Sequence, residues 1–182
     1  IFMLGVFLIM AAYHFGMFAF RSNDKTNLYF ALALIFGGIF SSTVNEIILV
    51  KLIPSINWEI VIKTNYISNY LRLLFFILFI YHSFKTEFKS LIVKILTVAI
   101  SGMLIFILVT PAGIFTKTLI VFLAMTAFSI LYLIFVQIKA LLRKKPGALF
   151  SFLGILILLA AVTNDILKEY QIINTISLTT VG

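Results

Sequence analysis

Cysteine is absent, so disulfides, thiol nucleophiles and thiolate metal sites are excluded within these residues. Charge is scarce too: only 11% of the 182 residues are charged, where a soluble domain carries about 25%. A chain this poor in charge cannot coat a water-facing surface, so its solvent is expected to be largely lipid. Catalytic signatures are also missing. No Gly-x-Ser-x-Gly elbow, no His-Glu-x-x-His pair, no Gly-rich phosphate loop and no pair of carboxylates on one face within an apolar run occurs. The expectation is a non-enzymatic segment with no catalytic residue, metal site or cofactor. Low-complexity tracts and convincing internal repeats are lacking, and the loops are too short to hold a soluble domain.

What is present is apolar length. Hydrophobic residues make up 63% of the chain and its mean hydropathy is +1.19. A helix needs about 20 apolar residues to cross the hydrocarbon core. Runs of that kind fall at residues 1–20, 28–50, 65–82, 91–109, 118–138 and 148–167, and residues 172–182 begin another. They are about twice the length of a barrel strand and do not alternate, so helices are predicted. The fold class expected is an all-α polytopic transmembrane helix bundle, with six full spans plus the start of a seventh. The whole of 1–182 reads as a single transmembrane domain truncated at both ends, since it starts at Ile1 and stops at Gly182 inside an apolar stretch. Polar or Pro/Gly segments separate the runs: Arg21 to Asn27, Pro54-Ser55, Thr110 to Gly113 and Lys144 to Gly147. Asp24 or Asn27 is a candidate cap for the second helix.

The formal net charge is +8, and the positives sit in short loops between apolar runs. That pattern points to membrane orientation and anionic headgroups instead of nucleic acid. One set of alternate loops holds Arg21, Lys25, Lys85, Lys89, Lys94, Lys139, Arg143, Lys144 and Lys145. The other holds Lys51, Lys63, Lys117 and Lys168, so the bias is nine against four. The positive-inside rule then predicts a cytoplasmic-membrane protein whose N-terminal end is extracytoplasmic and whose C-terminus is cytoplasmic after the seventh span.

Ionisable groups at membrane depth are costly and tend to face the bundle interior with partners. The second run carries Gly38, Ser42, Asn45 and Glu46 on one helical face, and the third carries Asn65, Ser68, Asn69 and Arg72. The sixth has Asn164, Asp165 and Lys168. The deduced topology puts all three stripes in the outer part of the bundle. Asn45, Glu46, Asn69, Arg72, Asn164 and Asp165 are therefore the candidate intramembrane polar cluster, with Arg72 expected to pair with Glu46 or Asp165. Its roles are a ligand- or conformation-sensitive element, or a structural clamp. On the inner side Tyr13 and His14 form a candidate relay, because histidine titrates near neutrality. Trp58, Tyr66 and Tyr70 suit an outer interfacial belt, Tyr29 and Tyr81 an inner one. Gly37, Gly38, Ser41 and Ser42 would allow close helix contact.

The first 40 residues carry a recognisable order: Gly5, then Tyr13-His14, Phe18, Arg21, Asp24, Leu28-Tyr29-Phe30 and Gly37-Gly38. This order resembles the bacterial seven-transmembrane receptors with diverse intracellular signalling modules. In that family the first helix carries a Gly and a later Tyr–Asn or Tyr–His pair. A short loop with Arg and Asp follows, then a Tyr-rich start to the second helix. The resemblance implies an extracytoplasmic ligand-binding domain before this segment and a cytoplasmic effector domain after it in the same chain. The functional expectation is a transmembrane sensor and relay domain of a bacterial receptor. Its expected partners are the lipid bilayer and a small ligand or extracytoplasmic domain, with a homodimer as a candidate assembly. The alternative is the membrane domain of a small-molecule or ion transporter, favoured by the intramembrane charges and disfavoured by the lack of a repeat or a Gly/Pro-broken helix.

Overall fold

The computed structural model describes the backbone of residues 2–44 and 48–169. Among those residues every regular element is helical and no strand occurs. Helices pair their own backbone groups, which is what a lipid solvent requires. In chain order they are α1 (Phe2–Phe20), α2 (Thr26–Thr43), α3 (Ile48–Leu52), α4 (Trp58–Ser83), α5 (Ser90–Val109), α6 (Ala112–Phe115), α7 (Leu119–Leu142) and α8 (Ala148–Glu169). A 3-10 turn over Thr116–Thr118 links α6 to α7.

Three described segments are long and apolar enough to cross a membrane: Thr26–Thr43, Ser90–Val109 and Ala112–Leu142. That is fewer than the six full spans expected. Leu4–Phe20 and Ala148–Ile157 are apolar but shorter. At 26 residues α4 is long enough, yet it carries Glu59, Lys63 and Arg72 along with two asparagines, Asn65 and Asn69. The expected start of a seventh span, 172–182, lies outside the described residues.

Two boundaries differ from the hydropathy reading for local reasons. The second run, expected to continue to residue 50, stops at Thr43, where Val44 turns extended at φ −111° and ψ 154°. Just before the break Ser42 and Thr43 donate their hydroxyls back to the Ile39 and Phe40 carbonyls, at 2.6 and 2.8 Å. Such back-bonding competes with the helical ladder. The third run, expected from residue 65, starts at Trp58. Asn57 caps it by accepting from the Glu59 amide at 2.8 Å, which satisfies one of the orphan donors of the first turn. A Glu59–Lys63 pair at 3.1 Å then supports that turn. Asp24 does serve the start of α2, accepting from the Thr26 amide at 3.0 Å. Asn27 instead turns toward α1.

Side-chain pairs fix how the helices run. Leu4 and Phe7 lie against Gly38, and His14 bonds Asn27, so α1 and α2 are antiparallel. Tyr29 meets His82 while Thr43 meets Asn65, so α2 and α4 are antiparallel. Tyr70 packs on Phe122 and Glu87, just past α4, reaches Arg143, so α4 and α7 run parallel. Gln137 bonds Ser151 at 2.6 Å across the antiparallel α7 and α8. The most extensive packing is α2 on α4 and α1 on α2, with α5 and α7 on α4 and α8 on α7. Helix α4 is thus the hub, and the core around it includes Tyr70, Leu74, Ile77, Ile80, Ile100 and Val136.

The outside of the bundle is apolar. On α5, Leu91, Ile95, Val98, Ile105 and Val109 are exposed at helical spacing, and on α7 Ile120 is 78% exposed and Leu131 69%. A water-facing monomer does not leave such continuous apolar faces uncovered. Lipid does cover them.

One connection is built against the usual choice of residue. After α7 the Lys144 amide bonds the Leu141 carbonyl at 2.9 Å and the Lys145 amide bonds the Ala140 carbonyl at 3.0 Å. That pair of bonds is the Schellman ending, which places the residue after the cap in the left-handed region and normally recruits glycine. Here the residue is Lys144, at φ 51°.

Candidate polar site in the bundle

The predicted polar residues do not all meet. Within α4, Arg72 Nη2 donates to Asn69 Oδ1 at 2.7 Å. The guanidinium carbon sits 4.6 Å from the centre of the Phe40 ring on α2, close enough for a cation–π attraction. The stem of Arg72 runs past Gly37, where a Cβ would stand 3.5 Å from Cδ. Two turns of α4 before Arg72, Asn65 donates to Thr43 Oγ1 at 2.9 Å and ties α4 to α2. Because α4 starts at Trp58, Arg72 lies 14 residues into the helix, about 21 Å along it. That is twice the depth expected from a helix starting at residue 65.

The other members of the cluster are placed less fully. Asn45, Glu46 and the Asp165 side chain lie outside the described residues, so the expected pairing of Arg72 with Glu46 or Asp165 is not among the described contacts. Asn164 is half-buried on α8.

Beside Arg72 is a cavity of about 210 Å³ lined by Phe40, Asn65, Tyr66, Asn69, Tyr70 and Phe122, with Val44 and Leu119 at its edge. Tyr70, expected in an interfacial belt, is instead fully buried, its ring edge-on to Phe122 at 4.7 Å. Among the described residues its hydroxyl has no hydrogen-bond partner. Sequence spacing gives no sign of this, since the packing face of a tyrosine depends on neighbours 50 residues away. The cavity is smaller than the usual 300–1,000 Å³ of small-molecule sites. It suits a few waters or a small polar group held between two amides and four aromatic rings.

At the opposite end, His14 Nδ1 and Asn27 Oδ1 are 2.9 Å apart and the His14 ring is edge-on to Phe30 at 4.6 Å. Tyr13 sits edge-on to His14 at 5.2 Å but is 61% exposed. The bond partner of His14 is therefore Asn27, not Tyr13.

Sequence reasoning passed over Glu87, which follows α4 in the connection to α5. Its side chain is closed to solvent, and its carboxylate lies 3.1 Å from Arg143 Nη1 and 3.4 Å from Lys139 Nζ, both on or at the end of α7. Thr86 donates to it at 3.3 Å. Burial pushes this carboxyl up, but the Arg143 hydrogen bond and charge, with Lys139 and Thr86, outweigh burial and hold it below the ordinary carboxylate value. Nearby, the Lys89 amide donates to Tyr132 Oη at 3.0 Å. The scarcity of acids was the available signal: one Glu in a loop amid many lysines and arginines has to be shared among them. Among the described residues no group of three or more His, Asp or Glu side chains converges on a metal-sized site.

The family model described as 7TM diverse intracellular signalling matches residues 1–182. The chain belongs to this family. No curated protein and no solved structure matches it. The 7TM diverse intracellular signalling family and the apolar helices together make this a multi-pass membrane protein of a signalling family. The motif order of α1 and α2 agrees with that membership. Its His14–Asn27 bond and Gly37-Gly38 contact knit the first two helices together.

Proposed function

We propose that the chain is the sensing and relay portion of a receptor in a bacterial cytoplasmic membrane. In this reading α1, α2, α4, α5, α7 and α8 are six spans, and residues 172–182 begin the seventh. The N-terminal end is extracytoplasmic and an effector domain follows the seventh span inside the cell. The observation that carries the reading is the family match along all 182 residues. The nine-to-four bias of basic residues supports the orientation. The segment itself performs no catalysis and works as a single membrane domain, with a second copy of the chain as a partner.

The relay runs through α4. Its Arg72–Asn69–Phe40 contacts lie near the middle of the helix, and its C-terminal end leads into the Glu87 ion cluster. A signal biases α4 only if it favours one packing over another. The small polar cavity beside Arg72 offers such a difference, because hydrating or emptying it changes the partners of Asn65, Asn69 and Tyr70. The six-residue cluster named from sequence acts here as the bistable element.

The test uses the full-length protein in its native host. A reporter fused at its C-terminus reads the side of the membrane, and effector output is followed with and without Arg72→Ala. A cytoplasmic reporter and an output that the variant locks on or off support the receptor. An extracytoplasmic C-terminus, or substrate uptake that the variant abolishes, overturns it in favour of a transporter.

A further inference from the structure

A second cavity lies toward the basic end of the bundle, its α4 wall running from Phe76 to Phe84. It measures about 540 Å³ and opens between α2, α4 and the start of α8. Its walls are apolar: Phe30, Phe79, Phe84, Phe150 and Ile155 line it, with Gly154 on the α8 side. Two serines also reach it, but both hydroxyls are engaged within the protein. Ser83 donates to the Phe79 carbonyl at 2.9 Å and Ser151 accepts from Gln137 at 2.6 Å. A Cβ added at Gly154 or Gly147 would meet nothing within 4 Å, so both glycines leave open space.

The rim of this groove is cationic. Phe84 on one side is followed by Lys85, and Pro146 on the other is preceded by Lys144 and Lys145. Arg143 and Lys139 are both engaged by the single Glu87 carboxylate. Lys85, Lys144 and Lys145 have no ion pair among the described residues. Lys144 also holds a left-handed backbone position that glycine would occupy with less strain. Strain retained at one residue is the kind of outlier from which a functional hypothesis follows. The side chain that glycine lacks is the cation.

We propose that this groove binds an anionic phospholipid of the surrounding bilayer, one acyl chain lying against Phe79, Phe84 and Phe150 and the phosphate held by Lys85, Lys144 and Lys145. An apolar slot topped by unneutralised lysines matches the two halves of such a lipid, and basic pockets between spanning helices are a known means of holding acidic headgroups. The inference rests on the membrane reading and not on the receptor reading. Occupancy would brace α8 against α2 and α4, with which it otherwise shares little contact.

The test is native mass spectrometry of the detergent-purified full-length protein titrated with phosphatidylglycerol or phosphatidylcholine. Wild type should retain phosphatidylglycerol selectively. A triple Lys85, Lys144 and Lys145→Ala variant should lose that selectivity, about fivefold per lysine, while the triple Arg variant keeps it. Gly154→Phe fills the groove and should lower retention without touching the charges. A benzophenone side chain at position 150 should yield lipid adducts in membranes. Equal retention of the two lipids by wild type would overturn the proposal. So would undiminished selectivity in a folded triple Ala variant, or crosslinks from position 150 to the protein's own chain in place of lipid.

Discussion

The Glu87 carboxylate, closed to solvent, lies 3.1 Å from the Arg143 guanidinium, 56 residues away in sequence. This pair fastens the α4–α5 connection to the end of α7, the two elements that also trade the Lys89–Tyr132 bond. Breaking one side of a buried pair strands the other charge, which is far worse than never having built it. Arg143→Ala is expected to lower the melting temperature in detergent more than Glu87→Ala does, because it strands a carboxylate closed to solvent, whereas a stranded Arg143 is 56% exposed and can turn to water. Fluorescence-detected thermal melts of the two variants check this, and equal falls would mean that the pair is not the fastening.

The same carboxylate sets an acid limit. Glu87 titrates below its ordinary value when folded, so folding is favoured by the ionised form. Its stabilisation is complete above about pH 4.3, the unfolded value, and fades as pH falls through the lower folded value. Asp24 behaves alike, held down first by the Thr26 side-chain and backbone hydrogen bonds. Melting temperature measured from neutral to acid pH should therefore bend downward below that point. Glu87→Gln should flatten the bend while lowering the neutral plateau. An unchanged bend would assign the acid sensitivity to other carboxyls.

Arg72 should be the most sensitive residue of the other half. Asn69→Ala removes its 2.7 Å partner and should cost about 1–3 kcal/mol, the penalty of an unmet charged donor. Phe40→Leu takes away the ring face and should cost about 1 kcal/mol beyond the change in packing. The two losses should be less than additive, since both act through one guanidinium. A double-mutant cycle by thermal or denaturant unfolding measures this, and strict additivity would mean that the two contacts are independent.

Gly38 and Gly37 predict a graded response. A Cβ at Gly38 would stand 3.2 Å from Leu4 Cδ1 and 3.4 Å from Phe7 Cβ, whereas at Gly37 its nearest neighbours are at 3.5 Å. Gly37→Ala should be tolerated. Gly38→Val forces α1 away from α2 and should cost about 1–3 kcal/mol, the usual penalty of overpacking. Thermal melts of the two variants, compared side by side, test the order. Equal tolerance would show that the α1–α2 contact is looser than these distances.

How much of this was readable beforehand depends on the range of each interaction. The start of α8 at Ala148 follows from Pro146-Gly147, and α5 matches its apolar run to within a residue, because both signals are local. The end of α2 at Thr43 was missed because hydropathy does not register serine and threonine hydroxyls bonding back to the helix. The early start of α4 was missed because Trp58 to Lys63 is polar enough to resemble loop, although Asn57 is a cap with a specific partner. Asn69 and Arg72 were found by their i, i+3 spacing, a helical property. The burial of Tyr70 and the Glu87 pairing rest on residues far along the chain, and no periodicity carries them.

Lys144 supplies the last prediction. A non-glycine residue in the left-handed region costs about 1 kcal/mol, and its position after α7 is the one that glycine takes in this kind of helix ending. Lys144→Gly should therefore raise stability by about 1 kcal/mol, seen as a higher melting temperature in neutral detergent. Lys144→Ala keeps most of the strain and should give little gain. In anionic lipid the order should change. The glycine variant loses a rim cation there, so its advantage over wild type should shrink as phosphatidylglycerol is added. An advantage that stays constant across lipids would make Lys144 an accident of the loop, because a residue kept for its charge has to show its worth where the opposite charge is present.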